Sequence, residues 1–387
     1  MKKQLKNNKG VTLIALIVII VILAIAVTVA LKMLLEEKES STNSEQHKSE
    51  IVEAKNSGKE FTEIKTEVTD SKGNKVVIPG GFKIAEDSGD TVQQGIVIED
   101  VSASKDKNVE GSQFVWIPVG IFVKDDGSTS NEIVLGRYTF DETDGTPILV
   151  QEAYTEENPE NYKSKVEVNF NGYKYKELPD YQKGVASSEI GGLNATANDL
   201  AGFINSAKTN GGYYIARYEA SFASGTNIEN YKAASKKSKV NSTIYMNDTV
   251  DTLWNWIPQI GASRVSINTY NNSETVKSDL MNSYAWDTAI VYIQEAGHEN
   301  YANKKDGNGT LKNTGETGDE VCKINDMASN VLEWTTEYCN YISNGYVCAC
   351  SYRGGNYYYS HYYTANRNYG SAIGSLWGIG FRLSLYM

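Results

Sequence analysis

Between Asn356 and Trp377 the chain reads NYYYSHYYTANRNYGSAIGSLW, and this interval limits what the protein can fold into more than any other. Before Ile373 it has almost no aliphatic side chain, no alternation that would bury one strand face, and no i, i+3, i+4 apolar stripe. Neither an amphipathic helix nor a half-buried strand accounts for it. Asn, Tyr, Ser and His fill a core poorly but make good contact surfaces: Tyr offers a large rigid ring with two side-chain torsions, and Asn and Ser add adaptable hydrogen bonds. Two readings stand. The interval is a displayed recognition surface held at each end by core segments, or it is a string of irregular loops whose rings lie flat on their own domain. Ten tyrosines between Tyr338 and Tyr369 favour display, since each buried hydroxyl would need a partner.

The flanks are more conventional. Upstream lie INDMASNVLEWTTEY (Ile324 to Tyr338) and the tripeptide Arg353-Gly354-Gly355; downstream the chain closes on GIGFRLSLYM (Gly378 to Met387). Together DMASNVLEWT, RGG and GFR resemble the signature of the formylglycine-generating-enzyme-like branch of the C-type lectin fold. A Tyr/Asn/Ser-rich tract between RGG and GFR resembles the variable region of proteins diversified by diversity-generating retroelements. The resemblance implies an α+β, C-type lectin-like domain with small twisted antiparallel sheets, two packed helices and long loops. It also implies a ligand-facing surface over 352–377, carrying Tyr352, Asn356, Tyr357, Tyr358, Tyr359, His361, Tyr362, Tyr363, Asn366, Asn368, Tyr369 and Trp377, with Ser371 beside them. Glu333, Trp334, Arg353, Gly354, Gly355, Gly380, Phe381 and Arg382 would form the structural frame. The implied partner is an extracellular protein or glycan.

Members of that family that oxidise cysteine to formylglycine use a cysteine pair after the RGG-like motif. Here no cysteine follows Gly355, so that activity is not expected. There is no G-x-S-x-G elbow, no H-E-x-x-H and no phosphate-binding glycine loop. His361 sits inside the tyrosine-rich tract with no visible orienting acid. Glu333 and Glu337, four apart, read either as a carboxylate pair or as structural groups, with Glu333 in a fixed hydrogen bond or salt link and Val331 and Trp334 in the core. Arg353 and Arg382 read as loop-anchoring donors, since one guanidinium can hold several carbonyls.

Net charge is -11, and no basic tract lies outside the extreme N-terminus, which argues against a nucleic-acid partner. The four cysteines, Cys322, Cys339, Cys348 and Cys350, lack zinc-site spacing. Either one or two disulfides staple the base of the tyrosine-rich loop, or these are buried thiols. No cofactor is expected. In DGNGT, Asp306, Asn308 and Thr310 could offer calcium oxygens, but the run departs from the twelve-residue calcium loop and reads better as an Asx turn.

At the N-terminus, residues 1–10 form a basic leader with Lys2, Lys3, Lys6 and Lys9, and Val11 to Leu31 is a 21-residue apolar run. As a helix it would span roughly 31 Å, enough for a hydrocarbon core of about 30 Å. The expected order is a transmembrane or pilin-like helix at 11–35, a polar stalk at 36–60 and the lectin-like domain at 61–387. The basic flank would keep the N-terminus inside and place the large domain outside the cell; a removed secretory peptide is the competing reading. KGVTLIALIVIIVILA also resembles a type IV prepilin N-terminus. That resemblance implies cleavage after Gly10 and methylation of Val11, but Ala15 stands where pilins usually carry glutamate, which argues against filament assembly. The leading expectation is a surface-displayed ligand-binding protein, the alternative a minor pilin or pseudopilin among pilin-like subunits, and the third an extracellular metal-dependent enzyme.

Within the domain, strands are expected at Phe61 to Val68, Val76 to Ile78, Gly95 to Asp100 and Phe114 to Gly120, with turns at Asp70 to Asn74 and Pro79-Gly80-Gly81. Residues 141–194 read as a polar excursion with at most one or two strands. Helical spacing predicts helices over Asn198 to Lys208 and Ser278 to Glu295. YYIARYEAS should lead into a central strand, and Ser221 to Asp248 and Gly297 to Glu320 should be loops.

Overall fold

The computed structural model describes residues 49–153, 168–177, 197–224, 230–236, 257–305, 307, 309–343, 346–372, 374 and 378–387, without the side chains of 176 and 340–349. Ser49–Met387 is one compact unit. It opens with helix α1, Glu50–Ser57, whose first turn is capped by the Ser49 hydroxyl accepting from Val52 N–H at 3.2 Å. Gly58 stops it in the left-handed region at φ 62°. Ile51 and Ala54 are buried on the domain, so 49–60 belongs to it and not to a stalk.

Short strands follow: β1 (Glu60–Phe61), β2 (Lys65–Thr69), β3 (Lys75–Pro79), β4 (Phe82–Ile84), β5 (Val97–Asp100), β6 (Gln113–Pro118), β7 (Gly136–Phe140), β8 (Pro147–Glu152), β9 (Val168–Phe170) and β10 (Tyr173–Lys176). Helix α2 (Leu200–Asn210) leads to β11 (Gly212–Ala216), β12 (Ser221–Ser224) and β13 (Lys232–Ala234). Then come α3 (Gln259–Thr269), β14 (Lys277–Leu280), α4 (Ser283–Glu295), β15 (Glu320–Val321) and β16 (Ile324–Asn325). The chain ends through β17 (Leu332–Ser343), β18 (Tyr346–Arg353), β19 (Arg367–Gly370), β20 (Ile379–Phe381) and β21 (Leu383–Tyr386).

The larger sheet has seven antiparallel strands in the order β1-β4-β5-β6-β11-β21-β14. In its interior, β11 (GYYIA) is buried along its whole length and sets Tyr214 opposite Trp116 on one side and Leu385 on the other. Each buried hydroxyl there has a partner: Tyr213 donates to the Ala285 carbonyl at 2.7 Å and Tyr214 to the Val77 carbonyl at 2.9 Å. The second sheet runs β19-β18-β17-β10-β9, with β20 pairing parallel to β17. Helix α4, buried from Ser283 to Ile293, packs on β7 and contacts strands of both sheets, β6 and β17.

Several expectations are corrected here. The architecture of two helices and small sheets behind a membrane-spanning helix does not hold: the described residues form four α-helices and sheets of up to seven strands, and none of those helices is long and apolar enough to cross a membrane. The expected apolar span at 11–31, the processing site at Gly10 and Val11, and most of the stalk lie outside the described residues. Residues 141–194 contribute three strands, β8, β9 and β10. The expected loop after Ser221 opens with the β12–β13 hairpin. The helix expected from Ser278 begins only at Ser283, because 277–280 pairs with β21 instead and Asn282 caps the helix by accepting from Ala285 N–H.

Candidate ligand-binding face

The tyrosine-rich loop, 354–366, joins β18 to β19, and its two ends are adjacent: Arg353 lies opposite Arg367 in the strand register. Two neighbouring guanidiniums inside a protein repel unless carboxylates lie between them. Asp287, from α4, and Glu337, from β17, supply these. Arg353 NH2 reaches Asp287 Oδ1 at 2.6 Å, and its NH1 lies 3.5 Å from Glu337 Oε2. Arg367 bonds the other oxygen of Asp287 and sits 3.3 Å from both oxygens of Glu337. Arg137, on β7, adds a third guanidinium, 2.6 Å from Glu337 Oε1. All five side chains are at most 1% exposed. Burial alone would raise the Glu337 carboxyl; Arg367, Arg137 and Arg353 outweigh it and hold it down to about 2.

Glycines extend this clamp. Gly354 has φ 89°, and a Cβ there would fall 2.8 Å from the Met327 carbonyl oxygen. At Gly355 the Cβ would be only 1.8 Å from the Ala328 carbonyl oxygen, so the loop base sits directly on the 327–328 backbone. Next, Tyr357 N–H donates to the Asn330 carbonyl at 2.8 Å, and Asn356 Oδ1 accepts from the N–H groups of Tyr358 and Tyr359 at 2.8 and 3.1 Å. On the return, Thr364 and Ala365 N–H groups donate to the carbonyls of Lys304 and Ala302. The backbone is thus held on both sides, leaving 358–361 as the tip.

At that tip, Tyr358 is 57% and Tyr359 42% exposed, the largest exposed aromatics among the described residues. Their rings meet edge to face at 4.9 Å; Tyr359 also packs against His361 and Tyr362, and His361 lies 4.3 Å from Tyr362. Tyr362 accepts a hydrogen bond from Asn368 at 2.9 Å. A second, half-buried group continues the face: Tyr369 meets Tyr173 at 4.7 Å, and Tyr363 meets Phe170 at 6.2 Å beneath Lys305.

The expected face is therefore divided. Tyr358, Tyr359 and His361 are exposed, and Tyr362, Tyr363, Asn368, Tyr369 and Ser371 half-buried. Tyr352, Asn356, Tyr357 and Asn366 are buried and are not surface residues. Tyr352 packs edge to face on Trp334 in the core, and the others belong to the backbone support of the loop. Trp377 lies outside the described residues. Arg367, Arg137 and Asp287, which hold the loop, are absent from the expected set; the sequence signal for them is a single carboxylate, Asp287, in the otherwise apolar helix SYAWDTAI.

The structural frame is a second buried network. Arg382 clasps Glu333 with both prongs, at 2.6 and 2.7 Å, and also donates to the carbonyls of Ala216 and Asn325. Glu333 and Glu337 serve different arginines and do not form an acid pair. Gly380 and Phe381 lie beside Glu333 and Trp334 in the parallel β17–β20 register. Cys322, Cys339 and Cys350 are buried, with Cys339 and Cys350 in separate apolar clusters; the side chain of Cys348 is outside the description. Among the described residues no three His, Cys, Asp or Glu groups converge to hold a metal ion, and Asp306 and Asn308 of the DGNGT run lie outside them.

No family model, curated protein or solved structure matches the chain.

Proposed function

We propose that the aromatic face around Tyr358, Tyr359, His361 and Tyr362 is a recognition surface for a macromolecular ligand. One observation carries the reading. Three exposed rings, Tyr358, Tyr359 and His361, backed by Tyr362 where it packs on the core, are presented by a loop whose two ends are held by buried arginines on shared carboxylates. Large exposed rings on a mobile loop would pay an ordering cost on binding; a clamped loop has met that cost during folding. Tyrosine edges and hydroxyls, with the imidazole of His361, then offer desolvation and directional hydrogen bonds in one patch. A protein or glycan ligand satisfies this chemistry.

The test compares the full chain with a Tyr358→Ala/Tyr359→Ala variant on peptide and glycan arrays. Loss of two central rings should weaken specific capture by roughly thirtyfold or more, equivalent to about 2 kcal/mol at a hot spot, with the melting temperature unchanged. Equal capture by both proteins, or loss of folding in the variant, would remove the basis for the proposal.

A further inference from the structure

Beneath the loop base lies a group of acids that the recognition face does not use. Glu219, Asp326 and Glu333 are each at most 1% exposed, and one guanidinium, Arg382, serves them. Its fork is directed at Glu333. Asp326 is held by neutral donors: the hydroxyls of Thr314 and Thr317, at 2.7 and 2.5 Å, and Gly315 N–H at 2.6 Å. The nearby Asp319 is matched by Lys304 at 2.7 Å and by the Tyr301 hydroxyl. Glu219 is left with the Asn330 amide at 2.6 Å and Val331 N–H at 3.1 Å, both uncharged. With all three carboxylates ionised the group would carry two negative charges in excess of Arg382, away from water, which favours the protonated form of one carboxyl.

The residues that face this group also seat the loop. Asp326 and Asn330 hold left-handed backbone conformations, with φ 69° and 59°. The backbone at 327–328 supports Gly354 and Gly355, and the Asn330 carbonyl receives Tyr357 N–H.

We propose that Glu219 is a proton-dependent latch on segment 326–331: while it is protonated the segment closes over it and seats the base of the aromatic loop, and opening the segment to water releases that proton. Burial, followed by the charges of Asp326 and Glu333, pushes the Glu219 carboxyl well above its ordinary value, against the opposing pull of Arg382 and Asn330. The sign follows. In the opened state Glu219 ionises near its ordinary 4.5, whereas in the closed state it stays protonated to higher pH, so closure is strongest in acid and weakens as pH rises between the two values. The latch does not depend on what the face binds.

Hydrogen exchange on the full chain without ligand tests this, with intrinsic rates corrected at each pH. Protection of amides in 326–331 and 354–357 should fall by about tenfold per pH unit above pH 5, the slope of one released proton. Glu219→Gln should lessen that slope by one proton. If that variant does not fold, Asp326→Asn serves: removing one repelling charge lowers the closed-state value of Glu219, and the fall in protection should level off at lower pH than in the wild type. A flat wild-type profile, an unchanged slope in Glu219→Gln, or an unmoved end-point in Asp326→Asn would each overturn the latch.

Discussion

Glu337 and Glu219 are both completely buried, yet the protein drives them in opposite directions. Around Glu337, three guanidiniums serve two carboxylates; around Glu219, one guanidinium serves three. The desolvation penalty is common to both sites, so the difference comes from the count and placement of cations. One network holds a carboxylate ionised into strong acid and fixes the two ends of a loop. In the other, burial and the neighbouring acids push the Glu219 carboxyl toward its protonated form, below the same loop. The same aromatic loop thus rests on two buried networks whose charge balances run in opposite senses.

Removing one cation from the richer network should give the largest effect. Arg353→Ala would leave Asp287 and Glu337 buried and short of a partner, and should destabilise by about 3–5 kcal/mol in urea unfolding of the full chain. Arg353→Lys keeps the charge but loses the planar fork that also bonds the Asn366 carbonyl, so it should still be destabilised, by less than the alanine variant. A loss below about 1 kcal/mol for Arg353→Ala would mean that the three-to-two balance does not hold the loop ends.

The acid limb is the next test. Glu337 has a folded value of about 2, below its ordinary 4.5, so its contribution is complete above the ordinary value and is lost as pH falls toward 2. Urea midpoints should therefore decline between about pH 5 and pH 2 in the wild type, and less steeply in Glu337→Gln. Equal acid slopes in the two proteins would place the acid sensitivity elsewhere.

Much of the frame is legible in the sequence because it follows simple rules. YYIA, at the start of YYIARYEAS, is a short aromatic and apolar run before Arg217, and Leu200, Phe203, Ile204 and Ala207 recur at helical spacing, so both elements show in the pattern. Helix α3 does not show. Gln259, Ser263, Ser266 and Thr269 are buried there beside Gly261, Ala262 and Val265, with Ser266 Oγ and Thr269 Oγ1 donating to the Ala262 and Val265 carbonyls and Gln259 Nε2 to the Thr335 carbonyl. Polar residues that bury internally leave no hydrophobic period. The site divides in the same way. That the 356–369 tract differs from a core is plain from composition, but which rings face out is set by tertiary hydrogen bonds: Asn356 and Asn366 look like contact residues and are instead buried supports. Arg367 sits in that tract as one cation among amides and rings, and only the register opposite Arg353 reveals its role.

The smallest stability effects, and the sharpest contrast between tip and base, should come from the loop itself. Tyr358 and Tyr359 rest mainly on each other, on Tyr357, on His361 and on Tyr362, so Tyr358→Ala or Tyr359→Ala should change stability by no more than about 0.5 kcal/mol. Asn356→Ala is different. It removes the acceptor for two backbone N–H groups and the donor to the Gly378 carbonyl, and should cost about 1–3 kcal/mol despite deleting fewer atoms than either tyrosine change. Side-by-side urea midpoints for the three variants decide the matter. If the tyrosine changes cost as much as Asn356→Ala, the rings are part of the fold and not a presented surface. If the order is as expected, the tip can change its side chains with little penalty to the protein, because what fixes the loop lies in Arg353, Arg367, the two glycines and Asn356, and none of these reaches the exposed face.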